Sequence, residues 1–343
     1  MDVHVIIAPS PYHNDPLKYR RHRLAGYLSG RSETENVIWV CPEGENGLNA
    51  ICQQPIVTLL ADGFAEIRVS DYKGMVRNFP ALQKKLIKEI VRLHDPSASR
   101  QYFLWYTYPA YSGLGTLSIW EKVIYDCSDL WVQMKSGTKN SLFDLARSKM
   151  VERTERMIIN QANQCFATSR FLFQRLASVH QKVMLIENGV DYFRFDERNS
   201  HENACRPPVI GFVGGLKPWK LDFRLLLDLA AARRDWTLVV AGPIYGEPTD
   251  DLKELLNQSN VQYIPFVPQD KIPELLQSFD VGLLPYLEND YNKAVFPLKF
   301  FEYLAAGVPV VGCGLPSTMD FTGKHVYLHV QARVQEAIQA CEA

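Results

Sequence analysis

Strand-length apolar runs alternate with helix-period stretches in two successive blocks of this 343-residue chain. Each strand is followed by a helix that must cross back, so the pattern calls for parallel sheets covered by helices. In the first block the runs Val3–Ala8, Val37–Cys41, Ile67–Val69, Gln101–Thr107, Lys122–Tyr125, Cys165–Thr168 and Val183–Ile186 read as strands. Leu17–Ser29, Ala81–His94, Arg147–Ala162 and Phe171–Val179 read as helices, the last with Ser169 as N-cap. A polar stretch from Asp191 ends in Pro207-Pro208 and breaks the pattern. The second block restarts at Val209–Val213 and continues through strands Thr237–Ala241, Val261–Ile264, Val281–Pro285 and Val308–Gly312. Helices are expected at Asp222–Ala232, Asp251–Gln258, Lys271–Ser278, Pro297–Ala306 and Val334–Ala343. The expected organisation is an α/β chain of two parallel-sheet domains, 1–190 and 209–343, with 191–208 as linker.

Composition narrows the function classes. Hydrophobic residues at 47% and charged residues at 22% are ordinary globular usage, which excludes wholesale disorder. The net charge of −1 argues against a nucleic-acid partner. Charge is uneven, +5 through Asn188 and −6 beyond it, as expected of two domains with different partners. Seven cysteines with no Cys-x-x-Cys pair point to neither a zinc site nor a disulfide framework, and a reducing cytosol fits them. No apolar run approaches 18 residues, and no basic flank precedes an apolar leader, so neither a membrane span nor a signal peptide is expected. No Gly-x-Gly-x-x-Gly follows the first strand, against a dinucleotide oxidoreductase.

The most informative stretch is the βαβ unit Asp280–Gly312. A buried strand ends at Pro285, a polar loop Glu288–Lys293 follows, and Pro297 opens a helix that Gly307 closes. The helix starts at the carboxyl edge of a parallel sheet, where its free N–H groups form an anion site. Lys299 stands in the first turn, which the helix dipole disfavours unless an anionic ligand meets it. Glu302 shares its face three residues on. From the residues alone, this is either a local Lys–Glu pair or a nucleotide site. In the second case lysine and helix N-terminus take the phosphates and glutamate takes the ribose diol. Charge-assisted bonds of this kind are worth about 1.5–3 kcal/mol each.

The run Phe296-Pro297-Leu298-Lys299-Phe300-Phe301-Glu302-Tyr303-Leu304-Ala305-Ala306-Gly307-Val308-Pro309-Val310-Val311 resembles the donor-binding signature of glycosyltransferase family 4, also called group 1. The likeness is to the branch that makes bacterial surface polysaccharides, including teichuronic-acid-type enzymes. Ile186–Asp191 resembles the Asn-Gly-Val-Asp turn that leaves the first domain of these enzymes. Ile210–Leu216 resembles the opening strand and glycine loop of their second domain, and Asp280–Pro285 the strand before the donor helix. The likeness covers most of residues 165–320. It implies the GT-B fold, two Rossmann-like parallel-sheet domains facing across a cleft. It also implies a donor site at Gly214, Gly215, Lys217, Lys220, Pro297, Leu298, Lys299 and Glu302. Two features depart from the family: Ala294 stands where many members carry a second glutamate, and Lys217 or Lys220 must replace an Arg and Lys after the glycine loop. The crossover helix that usually ends such enzymes is expected to be absent or abbreviated.

In the first domain, Asp126 and Asp129 follow the apolar run Lys122–Tyr125, and His13 follows the first strand. Either aspartate is a candidate base or acceptor ligand, the other reading being Asp129 as a helix cap or both in a solvated loop; His13 is a candidate to touch the acceptor or the donor sugar, the other reading being an exposed loop histidine. Outer members of the aromatic run Tyr102, Phe103, Trp105, Tyr106, Tyr108 and Tyr111 suit stacking on a sugar or lipid. Lys18, Arg20, Arg21 and Arg23, then Lys84, Lys85, Lys88 and Arg92, form basic helix faces that fit an anionic membrane or a solvated surface. No Asp-x-Asp triplet occurs, so metal independence is expected, with no cofactor beyond a UDP- or GDP-sugar donor as substrate.

The expected function is transfer of a sugar from that nucleotide sugar to a hydroxyl of a glycan or lipid-linked glycan. The expected location is the cytoplasm, peripheral on the inner face of the plasma membrane. The competing readings are a nucleotide-sugar 2-epimerase of the same architecture and a non-catalytic nucleotide-sugar-binding scaffold.

Overall fold

The computed structural model describes residues 1–14, 20–44, 49, 52–93, 99–131, 142–195, 206–323 and 326–343. Lys18, His94 and residues 196–205 of the expected linker lie outside them. The chain divides into two units, Met1–Met134 with Lys139–Ile186, and one built on Glu187–Ala343.

The first unit runs β1 (Asp2–Ile7), α1 (Arg20–Ser29), β2 (Thr34–Glu43), β3 (Ile56–Ala61), β4 (Phe64–Ser70), α2 (Met75–Asn78) and α3 (Lys84–Leu93). It continues with β5 (Gln101–Tyr106), β6 (Trp120–Cys127), α4 (Leu142–Gln161), β7 (Gln164–Ala167), α5 (Arg170–Ala177) and β8 (Val183–Leu185). Its eight strands lie in the order β3-β4-β2-β1-β5-β6-β7-β8. All pair in parallel except β3, which forms an antiparallel hairpin with β4. The central strand β1 is buried from Val3 to Ile7 and apolar there except for His4, as suits a strand covered on both faces.

The second unit runs β9 (Val209–Val213), α6 (Phe223–Ala232), β10 (Thr237–Ala241), α7 (Asp250–Leu256), β11 (Val261–Ile264) and α8 (Ile272–Gln277). Then come β12 (Val281–Pro285), α9 (Asp290–Ala294), α10 (Leu298–Ala305), β13 (Val310–Cys313), β14 (Tyr327–His329) and α11 (Val334–Glu342). The six-stranded sheet has the order β11-β10-β9-β12-β13-β14, parallel throughout. Helix α11 buries Ala337 and Ile338. Phe195 is buried in this unit's core.

Caps end the helices where the sequence places them. Ser169 accepts from Leu172 N at 3.3 Å, and Asp222 accepts from Leu225 N at 2.9 Å. Gly307, just past α10, has φ +76°. The structure adds four elements to the sequence reading. Strand β3 completes a hairpin through Asp62-Gly63, with Gly63 at φ +67°. Short helix α2 follows β4, and three-residue β14 closes the second sheet. The stretch Glu288–Lys293, read as loop, contains the start of α9, because Asn289 caps it by accepting from Asn292 N at 2.8 Å.

Candidate functional site

In open parallel sheets, ligands bind beyond the carboxyl ends of the strands, where the strand order reverses. In the second unit that point lies between β9 and β12. The loop after β9 holds Gly214 and Gly215; the segments after β12 lead to α10.

The glycine loop is zipped to the loop after β10. Gly214 N donates to Ala241 O (2.8 Å), Leu216 N to Pro243 O (2.8 Å) and Tyr245 N to Leu216 O (3.0 Å). Gly242, at φ +135°, comes so close that a Cβ there would meet Gly214 O at 2.0 Å. Lys217 Nζ lies over the Tyr245 ring (4.7 Å) and Lys220 Nζ over Tyr291 (4.4 Å). Asn289 and Asn292 tie this loop to the segment after β12 by donating to Trp219 O (3.0 Å) and Lys220 O (2.9 Å).

Helix α10 starts after Pro297, which sits at the N-cap rather than at the first helical position and brings no side-chain cap. Phe300 N turns back to Pro297 O at 3.2 Å, so the N–H groups of Leu298 and Lys299 are the ones the helix itself leaves for a ligand. Lys299 Nζ and Glu302 Oε2 pair at 2.6 Å, with the two side chains 18% and 13% exposed. The pair keeps both groups preset on one face at the sheet edge. Asn188, from the Asn-Gly-Val-Asp turn, donates its side-chain amide to Phe296 O at 2.9 Å, so that turn braces the entry to α10. Ala294, which stands where many members carry a second glutamate, is fully buried.

Sequence reasoning passed over Tyr303. Its buried hydroxyl accepts from Val213 N at 3.0 Å, which pins α10 to the end of β9 and so to the glycine loop. The ring fits because Gly282 lies under it; a Cβ there would come within 2.7 Å of the ring. A glycine inside strand β12 was the available signal.

In the first unit the strand order reverses at β1 and β5. The loop after β1 is firmly held: Tyr12 N donates to Glu66 Oε2 (2.6 Å), and Trp39 Nε1 donates to Ser10 O (2.9 Å). Glu66 is itself buried and takes Arg68 Nε at 2.6 Å. The Tyr12 ring packs on Trp39 and Phe64, which leaves His13 exposed beside it.

The two aspartates after β6 differ. Asp126 is buried and takes Arg20 Nε on both oxygens (2.8 and 3.1 Å); Arg20 Nη1 also donates to Ile186 O at 3.0 Å. Burial raises the Asp126 pKa, and Arg20 pulls it back. Asp129 is half-buried and accepts from Leu130 N at 2.9 Å. Arg20, counted in the sequence as part of a basic face, is thus turned into the fold. In α3, Leu86 and Ile90 are buried, while Lys84, Lys88 and Arg92 face outward. No helix among the described residues is long and apolar enough to cross a membrane.

Two Rossmann-like parallel-sheet units, the second with a glycine loop and a Lys–Glu helix at its reversal point, are the GT-B architecture of glycosyltransferases. The chain belongs to the group 1 glycosyl transferases. The profile of that family, "Glycosyl transferases group 1", matches residues 207–343. Over 358 aligned positions, 99% of this chain and 88% of the relative, it is 36% identical to TuaH of Bacillus subtilis (strain 168), assigned to teichuronic acid biosynthesis as a glycosyltransferase. It is also 30% identical over 222 positions, 59% of this chain and 54% of the relative, to the 2-deoxystreptamine glucosyltransferase of Streptomyces kanamyceticus. Among solved structures, sucrose-phosphate synthase from Thermosynechococcus elongatus matches with TM-score 0.69 and 15% identity, over 100% of this chain and 89% of that one. HepE of Anabaena in complex with UDP matches with TM-score 0.64 and 15% identity, over the same shares. Sugar transfer is the activity of this family, and neither the epimerase nor the scaffold reading is favoured.

Proposed function

We propose that the chain transfers a hexosyl group from a UDP-sugar to a hydroxyl of a glycan or lipid-linked glycan, in the assembly of a surface polysaccharide. The observation that carries this reading is the Lys299–Glu302 pair on the first turn of α10, braced by Tyr303 and Asn188. Lys299 and the leading N–H groups of α10 stabilise the departing diphosphate as its charge develops. Glu302 accepts the ribose hydroxyls, and the Gly214–Gly215 backbone admits the phosphates closely. UDP is favoured over GDP by HepE, solved with UDP and with UDP-glucose. The polysaccharide reading leans on TuaH.

The first unit binds the acceptor. His13 and Asp129, with side chains that reach solvent, are the candidates to take a proton from the attacking hydroxyl. Asp126 holds Arg20 in place. Outward-facing Lys84, Lys88 and Arg92, beside exposed Val91 and Leu93, suit attachment to an anionic membrane. Co-sedimentation with vesicles containing phosphatidylglycerol tests that attachment, and no binding at low salt contradicts it.

The donor site is tested by thermal stabilisation with UDP, GDP, ADP, dTDP and CMP. A nucleotide at 100 times its dissociation constant adds about 2.7 kcal/mol. Stabilisation by UDP, lost in Lys299→Ala and Glu302→Ala, supports the assignment. No stabilisation by any nucleotide overturns it.

A further inference from the structure

A second polar constellation sits on the first unit, beyond the carboxyl ends of β4, β5 and β6. Asp71, fully buried after β4, accepts from Val76 N at 2.8 Å and from Arg77 Nε. Both its oxygens are thereby used. Arg77 Nη1 reaches the Tyr108 hydroxyl at 3.5 Å, and the Tyr108 ring meets Trp131 edge-on at 5.0 Å. Arg77 is 17% exposed, and its Nη2 bonds to no described residue.

The backbone beside it is held in an unusual form. Tyr111 has φ +56°, rare for an aromatic residue. It is locked there by its N–H, which donates to Arg77 O (2.7 Å), and by its carbonyl, which accepts from Tyr106 Oη (3.1 Å). The Tyr111 side chain is fully buried and its hydroxyl has no partner, though it feels the charges of Asp71 and Arg77. The Trp131 Nε1 is likewise buried without a partner. Strain and unmet donors both carry a cost, and they persist where the surroundings enforce them.

The chemistry of the set is one-sided. Arg77 Nη2, the phenols of Tyr108 and Tyr111, and the Trp131 indole all present N–H or O–H groups. The one carboxylate, Asp71, already has each oxygen engaged, one by Val76 N and one by Arg77 Nε. A cluster this rich in donors, with its carboxylate already engaged, matches an oxyanion better than a neutral hydroxyl, which brings a proton of its own. Asp71 fixes Nε and so sets the plane of the guanidinium, which leaves the fork's outer edge for a planar or tetrahedral anion.

We propose that Arg77, Tyr108 and Trp131 form an acceptor subsite that takes an oxyanion carried by the acceptor sugar, a carboxylate or a phosphate ester. Asp71 and Tyr111 are positioning residues for it. The assignment rests on the acceptor role proposed above for the first unit.

The test uses the full chain and three probes: 4-nitrophenyl β-D-glucuronide, 4-nitrophenyl β-D-glucoside 6-phosphate and the neutral 4-nitrophenyl β-D-glucoside. Dissociation constants are read by ligand-observed NMR, with UDP affinity measured in parallel. At least one anionic probe should bind about tenfold tighter than the glucoside, and the better anion identifies the source as carboxylate or phosphate. In Asp71→Asn/Arg77→Gln, which leaves no unpaired buried charge, that ratio should fall to near one with UDP affinity unchanged. Arg77→Lys should recover part of it, and Tyr108→Phe should lose a few-fold. Equal binding of charged and neutral probes, no anion binding, or a ratio kept in the double variant contradicts the subsite. Discrimination without UDP binding would leave the subsite standing and remove the donor reading instead.

Discussion

The second unit draws its candidate site from two short segments, Gly214–Lys220 and Pro297–Glu302, whereas the first unit draws its polar contacts from distant parts of the chain. Lys299 and Glu302 are three residues apart on one helix. Arg20 and Asp126 are separated by 106 residues, and Tyr12 and Glu66 by 54. Both sheets reverse strand order beside their first strand, so the same topology supports a local charge pair in one unit and dispersed ones in the other. The Lys299–Glu302 pair carries its geometry within one stretch of helix, while the Arg20–Asp126 and Tyr12–Glu66 contacts exist only once the sheet has brought its strands together.

The sharpest way to break this contrast is to remove Lys299. Lys299→Ala should lower kcat by about 10²–10³, the cost of losing one preorganised group at a developing charge. It should also abolish UDP stabilisation. His13→Ala should lower kcat while leaving UDP stabilisation intact; equal loss of UDP binding in both would erase the division between donor and acceptor units.

The next effects concern how α10 is held. Gly282→Ala places a Cβ against the Tyr303 ring and should cost about 1–3 kcal/mol, as overpacking does. Tyr303→Phe leaves the buried Val213 N–H unpaired and should cost about 1–3 kcal/mol. Chemical denaturation reads both. A raised KM for the UDP-sugar in Tyr303→Phe would tie the clamp to the donor site, and an unchanged KM would make it purely structural.

A smaller effect lies at Asp126. Burial raises its pKa above the ordinary 3.8, so the native state holds that proton more tightly than the unfolded chain does. Its contribution is therefore greatest below the unfolded value and is lost as pH rises through the raised one. Relative to Asp126→Asn, the wild type should gain stability as pH falls through that window. A gain in the opposite direction would mean that Arg20 outweighs burial. Chelation with EDTA should change turnover least, leaving it within twofold; a complete loss would contradict a metal-free donor site.

The same contrast governs what the residues disclosed in advance. Strands β9, β10 and β12 lie where the apolar runs put them, because each is a nearly continuous buried run with turn residues at its ends; β11 does too, though it is only partly buried. Helix α10 and its Lys–Glu pair were legible because capping and i,i+3 spacing are local. Strand β3 was overlooked although Asp62-Gly63 is a strong hairpin signal; its outward residues Ile56, Val57 and Leu59 break the inside–outside alternation expected of a strand. Helix α9 hid in a polar stretch because its start depends on the Asn289 cap. The partners of Asp126 and Tyr303 were beyond reach, since Arg20 and Val213 N meet them only through the sheet. Trp131 and Arg77 carry no local pattern that sets them apart from other aromatic and basic residues.

Hydrogen exchange of the full chain with and without saturating UDP tests the central claim most directly. Binding at the proposed site should slow exchange in Gly214–Lys220 and in Phe296–Tyr303, with Met1–Tyr12 and Thr107–Leu114 little changed. Protection confined to the first unit, or none in the α10 segment while UDP is bound, would contradict it.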